Sequence, residues 1–320
     1  MRIVRMYAFI APMNAKMPLF ILTRLAAMVP TAVLVLALVG ALIHTIPGDP
    51  VDSLLGEHAA LADRDALRTA LGLDRPVALQ IYDFAAGALQ GDWGQSLANA
   101  KPVLGLIAER LPATGWLAAA AMGVALTLGT LMGIAGALAA RPVRASLDLV
   151  TLAVMATPSF VLGPLLIASV AVGLNLLPVS GMQGPESIIL PALTLGAGLA
   201  AVIARFLTES LNRAMAADHV RTAVAKGAPM RRVLWRHAMP VALLPVVQIV
   251  FLQLGMVLTG AVLTEAVFGW PGLGNLLLDA LHGRDYPLMQ GCLLLISLVY
   301  MLCVLLSDVV VAWLDPRVGA

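Results

Sequence analysis

Few residues of this chain are spaced as the reactive groups of a catalytic or ligand-binding site would be. The phosphate-binding pattern G-x4-G-K-[ST] is absent from the sequence, so we expect no ATP to bind to this chain itself. Cys292 and Cys303 lie in one apolar run and are too far apart along a helix to pair within it. No Ser-His-Asp set or carboxylate pair has a plausible catalytic setting. The sequence therefore predicts neither an enzyme nor a resident metal or cofactor, and no basic-aromatic pattern indicates nucleic-acid binding.

The histidines do not change this prediction, because none occurs at metal-ligand spacing from another histidine or from a cysteine. The five are His44, His58, His219, His237 and His282. His44 lies near the end of the first apolar run, and His282 stands two residues before Arg284. Both positions suit contact with a metal-containing solute. Because each histidine stands alone in the sequence, a structural or interfacial role is the favoured alternative.

The composition places the chain in a membrane. Hydrophobic residues make up 60% of the 320 residues and charged residues 12%, with a mean hydropathy of +0.93, which excludes an ordinary soluble domain. Six apolar runs are long enough to cross a hydrocarbon core of about 30 Å. They are 20–46, 112–139, 147–173, 188–207, 241–264 and 288–312. Since lipid cannot satisfy an open backbone, we predict an all-α bundle with lipid as its solvent.

The basic residues indicate the orientation of these runs. Fourteen of the twenty Lys and Arg residues fall on one side of the predicted bundle, which the positive-inside rule makes cytoplasmic. Both termini, residues 1–19 and 316–320, are then cytoplasmic, and the segment 47–111 is outside. The first run is too long for a cleavable signal and lacks a small-residue cleavage pattern, so we expect residues 20–46 to remain as the first spanning helix.

The segment 205–240 is a basic, helix-forming stretch between apolar runs and holds seven of the twenty basic residues. Gly227 is suited to the left-handed conformation that ends a helix. Pro229 suits the start of the next helix and pushes Ala228 out of the α region. We therefore predict two short helices that meet at an elbow on the cytoplasmic side, shaped to dock into another protein.

The external segment 47–111 is rich in turn signals and acidic residues. It opens with Pro47, Gly48, Asp49 and Pro50, and later contains Leu71-Gly-Leu-Asp-Arg-Pro and Gly91-Asp92-Trp93-Gly-Gln-Ser. Nine acids stand against five bases, and residues 62–68 have the pattern of a short amphipathic helix. A solvated loop whose glycines only make turns is the alternative to a docking surface.

Two further segments follow the fifth run. Glu265 is the least lipid-compatible residue of its helix, and ionisable groups at membrane depth usually have a partner or a cavity. We keep two roles open for it: part of the pathway or outer gate, or a hydrogen-bonded structural acid. Trp270 suits an aromatic belt or a re-entrant turn, and Arg284 and Asp285 precede the last run.

Small residues and prolines predict how the spans pack. Gly129, Gly133 and Gly136 lie on the second run at the spacing that allows two helices to approach closely. Pro158 and Pro164 interrupt the third run and predict a kink or local unwinding there.

In the predicted cytoplasmic segment, Thr222-Ala223-x3-Gly227 is followed, after nine intervening residues, by His237-Ala-Met-Pro240. This pattern resembles the EAA loop of ABC importer permeases. The stretches DHVRTAVAKG, TEAVFGWPGLG, GRDYPLMQG and LDPR are similar to the dipeptide/oligopeptide/nickel permease family. The chain departs from it at Pro240-Val241, where the family usually has a basic residue and Asn. The resemblance implies a six-helix type I importer domain, with a core at 112–315 and a scoop-like insert at 47–111. It also implies ATPase-coupling residues: Thr222, Ala223, Lys226, Gly227, Pro229, His237 and Pro240.

The same resemblance implies partners. These are a second homologous permease, two ATP-binding subunits that hold ATP-Mg, and an external binding protein. Docking to that protein, or the outer gate, is implied for Pro47, Gly48, Asp49, Asp92, Trp93, Glu265, Trp270, Arg284 and Asp285.

Two function classes remain to be compared. A permease subunit of an ATP-driven importer is the first, with a peptide, glutathione, nickel or a metallophore as substrate. A self-contained secondary transporter or channel is the second, although it would usually show an inverted repeat and buried coupling charges. A co-purifying ATPase would distinguish the two.

Overall fold

The computed structural model describes residues 17–43, 51, 55, 60–70 and 74–314. Pro47, Gly48 and Asp49 lie outside the described residues, as do both predicted cytoplasmic tails except residues 17–19. The described part is almost entirely helical, with a single isolated β-bridge between Gln95 and Pro102.

In the part of the chain that the structure describes, five helices are long and apolar enough to cross a membrane, because 27 residues at 1.5 Å each already exceed about 30 Å. They are α1 (Met17–Ile43), α4 (Val103–Leu138), α7 (Ile189–Met215), α10 (Met239–Phe268) and α12 (Tyr286–Leu314). Between α1 and α4 the predicted external segment contains α2 (Leu61–Ala70) and α3 (Val77–Leu89). The predicted amphipathic helix at 62–68 corresponds to α2.

The third apolar run forms a broken pair of helices, α5 (Arg141–Ala156) and α6 (Ser159–Leu166), which meet at an angle of 104°. Pro158 causes the break, since its ring holds Thr157 in an extended conformation at φ −93° and ψ 114°. Beyond Pro164, α6 continues as a π-helical turn, Ile167–Gly173. With this pair counted as one span, the described helices give six crossings, and a second bent pair, 261–268 with 273–282, gives a seventh if it is counted in the same way.

The middle of the bundle is the close contact between α4 and α7. A Cβ added to Gly133 would lie 2.8 Å from the Cβ of Leu207, and one added to Gly129 would lie 2.8 Å from the Cβ of Ile203. The hydroxyl of Thr208 donates to the Gly133 carbonyl at 3.1 Å. The predicted packing role of these glycines is confirmed, because only hydrogen fits between the two helices.

A second bend follows α10. Gly269 ends that helix at φ +58°. The following helix, α11 (Leu273–His282), is bent by 79° from the last two turns of α10. At the other end of α10, α8 (Asp218–Ala225) and α9 (Met230–Val233) form the predicted pair of short helices. A π-helical turn, Leu234–Ala238, joins α9 to α10 without a break.

Several boundaries differ from those predicted. The second spanning helix begins at Val103 rather than 112, while the division into an insert at 47–111 and a core at 112–315 stays a prediction. Pro112 lies inside the helix and not at its start. The 36 residues of α4 would extend about 54 Å, which leaves its first turns outside the hydrocarbon. The coupling segment 205–240 also begins inside α7, which continues to Met215.

Candidate functional site

Within the elbow, residues 218–238, the backbone at Gly227 ends helix α8 and Pro229 begins helix α9. Gly227 has φ +78°, and its N–H donates to the carbonyl of Val224 at 2.9 Å while that of Ala228 donates to the carbonyl of Ala223 at 3.2 Å. This pair of bonds is the Schellman ending of α8. Pro229 then caps α9 in an extended conformation. The predicted left-handed glycine is observed at the predicted position.

One face of the elbow is buried in the chain's own core. Val220, Val233 and Ala238 are at most 1% exposed, and Ala223 is 9% exposed. All four belong to the core cluster that α4, α7 and α10 also form. Ala223 therefore holds the elbow in place and is not on its outer surface. The ring Nε2 of His219 also lies 3.3 Å from the His237 carbonyl, which joins α8 to the π-helical turn.

The opposite face of the elbow is an exposed apolar patch with a basic rim. Val224, Met230 and Trp235 are 52%, 58% and 56% exposed. The rim consists of exposed basic side chains: Arg221, Lys226, Arg231, Arg232 and Arg236. Thr222 is also exposed, whereas His237 and Pro240 are half-buried. An apolar centre with a polar rim is the anatomy of a protein-binding surface.

Sequence reasoning missed the three apolar residues of this patch. Their signal was available in principle, because a tryptophan flanked by Leu234 and Arg236 in a basic segment is unusual for a buried helix. Ideal α-helical spacing does not predict which neighbours of Trp235 face outward, because Leu234–Ala238 form a π-helical turn.

At the opposite end of the bundle, two predicted motifs that are about 190 residues apart meet. The hydroxyl of Ser96 donates to the carboxylate of Asp285, which also accepts the backbone N–H of Ala98 at 3.3 Å. Asp285 is 1% exposed, so it fixes the loop internally and is not itself a surface contact. Trp93 packs on the cluster formed by the starts of α4 and α12.

Around this junction two charged residues reach the surface at least in part. Asp92 is exposed, and its carboxylate accepts the N–H of Gly94 at 2.9 Å. Arg284 is half-exposed and adopts φ +53°. We call residues 91–98 and 283–287 the outer junction. Its exposed rim, and not the buried Asp285, is the part available to a partner.

Glu265 closes the bend between α10 and α11. Its carboxylate is fully buried and accepts the hydroxyl of Thr114 at 2.6 Å, the N–H of Gly274 at 2.7 Å and the N–H of Asn275 at 3.1 Å. It therefore caps α11 and ties that helix to α4. A negative charge at a helix N-terminus is stabilising, so the geometry is that of the hydrogen-bonded structural acid.

Trp270 lies in the same bend and is 1% exposed. Its indole N–H donates to the carbonyl of Ala113 at 2.9 Å, one residue before Thr114. The side chain is therefore part of a turn and does not form an aromatic belt. Neither Glu265 nor Trp270 reaches the surface of the chain, so neither is placed for direct contact with a partner, and a place in the outer gate stays a prediction.

Thr114 is the residue of this cluster that sequence reasoning missed. It accepts the N–H of Leu273 at 2.7 Å while it donates to Glu265, so it links α4, α10 and α11. No local pattern marks it, because its partner is 151 positions away. Among the residues that the structure describes, no group of three His, Cys, Asp or Glu side chains is placed to hold a metal ion.

Known proteins match nearly the whole chain. Residues 125–320 match the family described as "Binding-protein-dependent transport system inner membrane component", and residues 17–118 match the N-terminal part of such membrane components. "Glutathione transport system permease protein GsiC" of Escherichia coli (strain K12) is 38% identical over 301 residues, which are 93% of this chain and 98% of the relative. GsiC of Salmonella typhi has the same identity and coverage.

The fold has a counterpart among solved structures. A "Crystal structure of an amino acid ABC transporter with histidines" superposes with a TM-score of 0.50 at 16% identity. The superposition covers 67% of this chain and 94% of the other. At that identity the likeness concerns the fold alone.

Proposed function

The chain belongs to the family of binding-protein-dependent transport system inner membrane components, and from that premise we propose how its parts serve transport. It is a permease component of an ABC importer and a multi-pass inner-membrane protein, not an enzyme. The predicted all-α, type I importer fold and the resemblance to peptide-type permeases are thereby confirmed. The family implies a partner permease, an ATPase and a binding protein in general.

In the proposed assembly the chain forms half of the pathway, and a second homologous permease forms the other half. Two ATP-binding subunits on the cytoplasmic side hold ATP-Mg, and a binding protein delivers the solute to the outer side. Both termini of this chain lie in the cytoplasm. The excess of basic residues on the elbow side supports this orientation.

The elbow is the proposed contact with an ATPase subunit. The single observation that carries this assignment is its exposed patch of Val224, Met230 and Trp235 within a basic rim. The buried face of the elbow packs in the core, so a displacement of the exposed patch must move the whole elbow. Lys226, Gly227 and Pro229 shape this surface, while Ala223 and His237 hold it from behind.

Movement of the elbow reaches the outer side through α10. The π-helical turn leads directly into Met239, and α10 then runs 30 residues to Phe268, a length of about 45 Å. Glu265 near its far end is bonded to Thr114 of α4 and to the start of α11. One helix thus joins the ATPase contact to the bend that we assign to the outer gate.

The exposed rim of the outer junction is the proposed contact with the binding protein. Asp92 and Arg284 provide charge there, and the bond between Ser96 and Asp285 holds the two segments together. The solute is proposed to be a small peptide, and glutathione is the first to try because the relatives are named for its transport. Uptake of labelled glutathione and of a dipeptide by the assembled complex would decide between them.

A pair of truncations tests the ATPase contact. Trp235→Ala removes the centre of the exposed patch, and Val143→Ala shortens another apolar side chain that is 53% exposed near the same end of the bundle. Loss of a central aromatic anchor typically costs about 2 kcal/mol or more, roughly a 30-fold weaker affinity. We expect Trp235→Ala to reduce ATPase co-purification and ATP-driven uptake, and Val143→Ala to change neither. Equal retention of the ATPase by both variants would refute the assignment.

A further inference from the structure

A cavity of about 580 Å³ lies between α1 and α12. Its walls are mainly apolar, with small or slender side chains on both helices. Those that shape it are Ala27, Thr31 and Val35 of α1 and Ser297, Tyr300 and Val304 of α12. Ala27, Thr31 and Tyr300 are exposed, so the cavity is open to the surrounding membrane.

The cavity has the length of one leaflet. It extends along α1 from Arg24 to Val35, eleven residues or about 16 Å, and half of a hydrocarbon core is about 15 Å. Beyond this, α3 covers α1 within the same chain: a Cβ on Gly40 would lie 2.3 Å from Cγ1 of Ile81. The cavity therefore ends near mid-membrane and does not cross the whole bilayer.

Its other end is closed by an ion pair. Nε of Arg24 lies 3.3 Å from a carboxylate oxygen of Asp308, and the arginine side chain remains 51% exposed while the aspartate is 23% exposed. The guanidinium thus neutralises the acid and presents its exposed half at the depth where lipid headgroups lie. Basic groups between spanning helices at this level recognise anionic headgroups.

The interior is unsuited to water. The hydroxyl of Thr31 donates to the Ala27 carbonyl at 3.1 Å, and that of Ser297 donates to the Leu293 carbonyl at 2.8 Å. Both donors are therefore satisfied within their own helices, and a buried water needs two to four polar partners. Empty space of this size is also foreign to close-packed protein.

We propose that one phospholipid occupies this cavity, in the leaflet on the Arg24 side. One acyl chain fills the space between α1 and α12, and the phosphate lies against Arg24. The occupant is an amphiphile because the site combines an apolar slot of one-leaflet length with a polar end, where the half-exposed guanidinium of the ion pair can donate to a phosphate. Bound there, the lipid joins α1 to the rest of the bundle, since α1 is otherwise exposed over most of its length.

The test counts phospholipids retained by the purified importer complex in native mass spectra. Thr31→Phe and Ala27→Phe fill the cavity, and Val33→Phe places the same ring on a position of α1 that is 59% exposed and outside the cavity. We expect both filling variants to retain one phospholipid fewer than the unmodified complex and Val33→Phe to retain the same number. Equal counts in all four samples, or no retained lipid in the unmodified complex, would overturn the proposal.

A second measurement tests the headgroup and the competing occupant. The double variant Arg24→Gln, Asp308→Asn removes both charges without leaving either alone. We expect it to retain fewer phospholipids than the unmodified complex, both phosphatidylglycerol and phosphatidylethanolamine, because the phosphate that both lipids carry loses its guanidinium donor. An unchanged count would refute the placement of the phosphate. Efficient cross-linking from a cysteine at position 31 to the second permease would show protein, not lipid, in the cavity.

Discussion

At the scale of single residues, the bend after α10 requires glycine at two positions, because a Cβ at either one would overlap its neighbours. A Cβ on Gly272 would lie 2.2 Å from the carboxylate of Glu265, and one on Gly274 would lie 2.4 Å from Cα of Val262. The carboxylate can approach the N–H groups of α11 only because these two positions have no side chain. The buried acid and its neighbouring glycines are thus one unit.

Gly272→Ala should therefore destabilise the assembled importer, because overpacking of this kind costs about 1–3 kcal/mol. Gly115→Ala is the matched control: it adjoins Thr114 in α4, its Cβ would meet nothing within 4 Å, and alanine favours a helix over glycine by up to about 1 kcal/mol. Thermal unfolding of the purified complex measures both variants. A melting temperature for Gly272→Ala as high as for Gly115→Ala would contradict the packing argument.

At the scale of elements, the elbow requires glycine at position 227 for its left-handed backbone conformation and not because a side chain there would overlap a neighbour. Gly227 has φ +78° with nothing within 4 Å of an added Cβ. A side chain there meets no steric neighbour in this chain, so the cost of substitution comes from the backbone alone. A left-handed conformation costs most residues about 1–2 kcal/mol, whereas asparagine visits it readily.

Gly227→Val should accordingly lower ATP-driven uptake, and Gly227→Asn should leave most of it. The valine strains the turn between α8 and α9 and shifts the exposed patch relative to its ATPase partner. The assay is uptake in membrane vesicles together with co-purification of the ATPase and surface expression of the permease. Similar uptake by the valine and asparagine variants would show that the turn geometry is not needed for coupling.

At the scale of the whole molecule, we expect the two proposed contact surfaces to lie on opposite sides of the membrane. Gln95 belongs to the outer junction and Lys226 to the elbow, and both are exposed. In a background without Cys292 and Cys303, a cysteine at position 95 should react with an impermeant maleimide in intact cells. One at position 226 should react only after the membrane is opened. The reverse pattern would invert the orientation.

The sequence alone determined the class of the protein and much of its local geometry. Runs of apolar residues predicted the spans because the thickness of lipid imposes their length. Pro158 and Gly227 predicted the broken span and the elbow because their backbone limits act within one or two residues. The family could be identified from short motifs for the same reason, since each motif is contiguous along the chain.

Only the tertiary structure decided which of these residues meet and which face outward. Glu265 and Thr114 are 151 positions apart, and Ser96 and Asp285 are 189 apart, so neither bond leaves a pattern that a local window could contain. Glu265, Trp270 and Asp285, which the sequence predicted for docking or for the outer gate, are buried for this reason. Trp235 lies in a π-helical turn and proved to be exposed. The physical cause is common to all of them: exposure and pairing follow from the packing of whole helices, which no single segment determines.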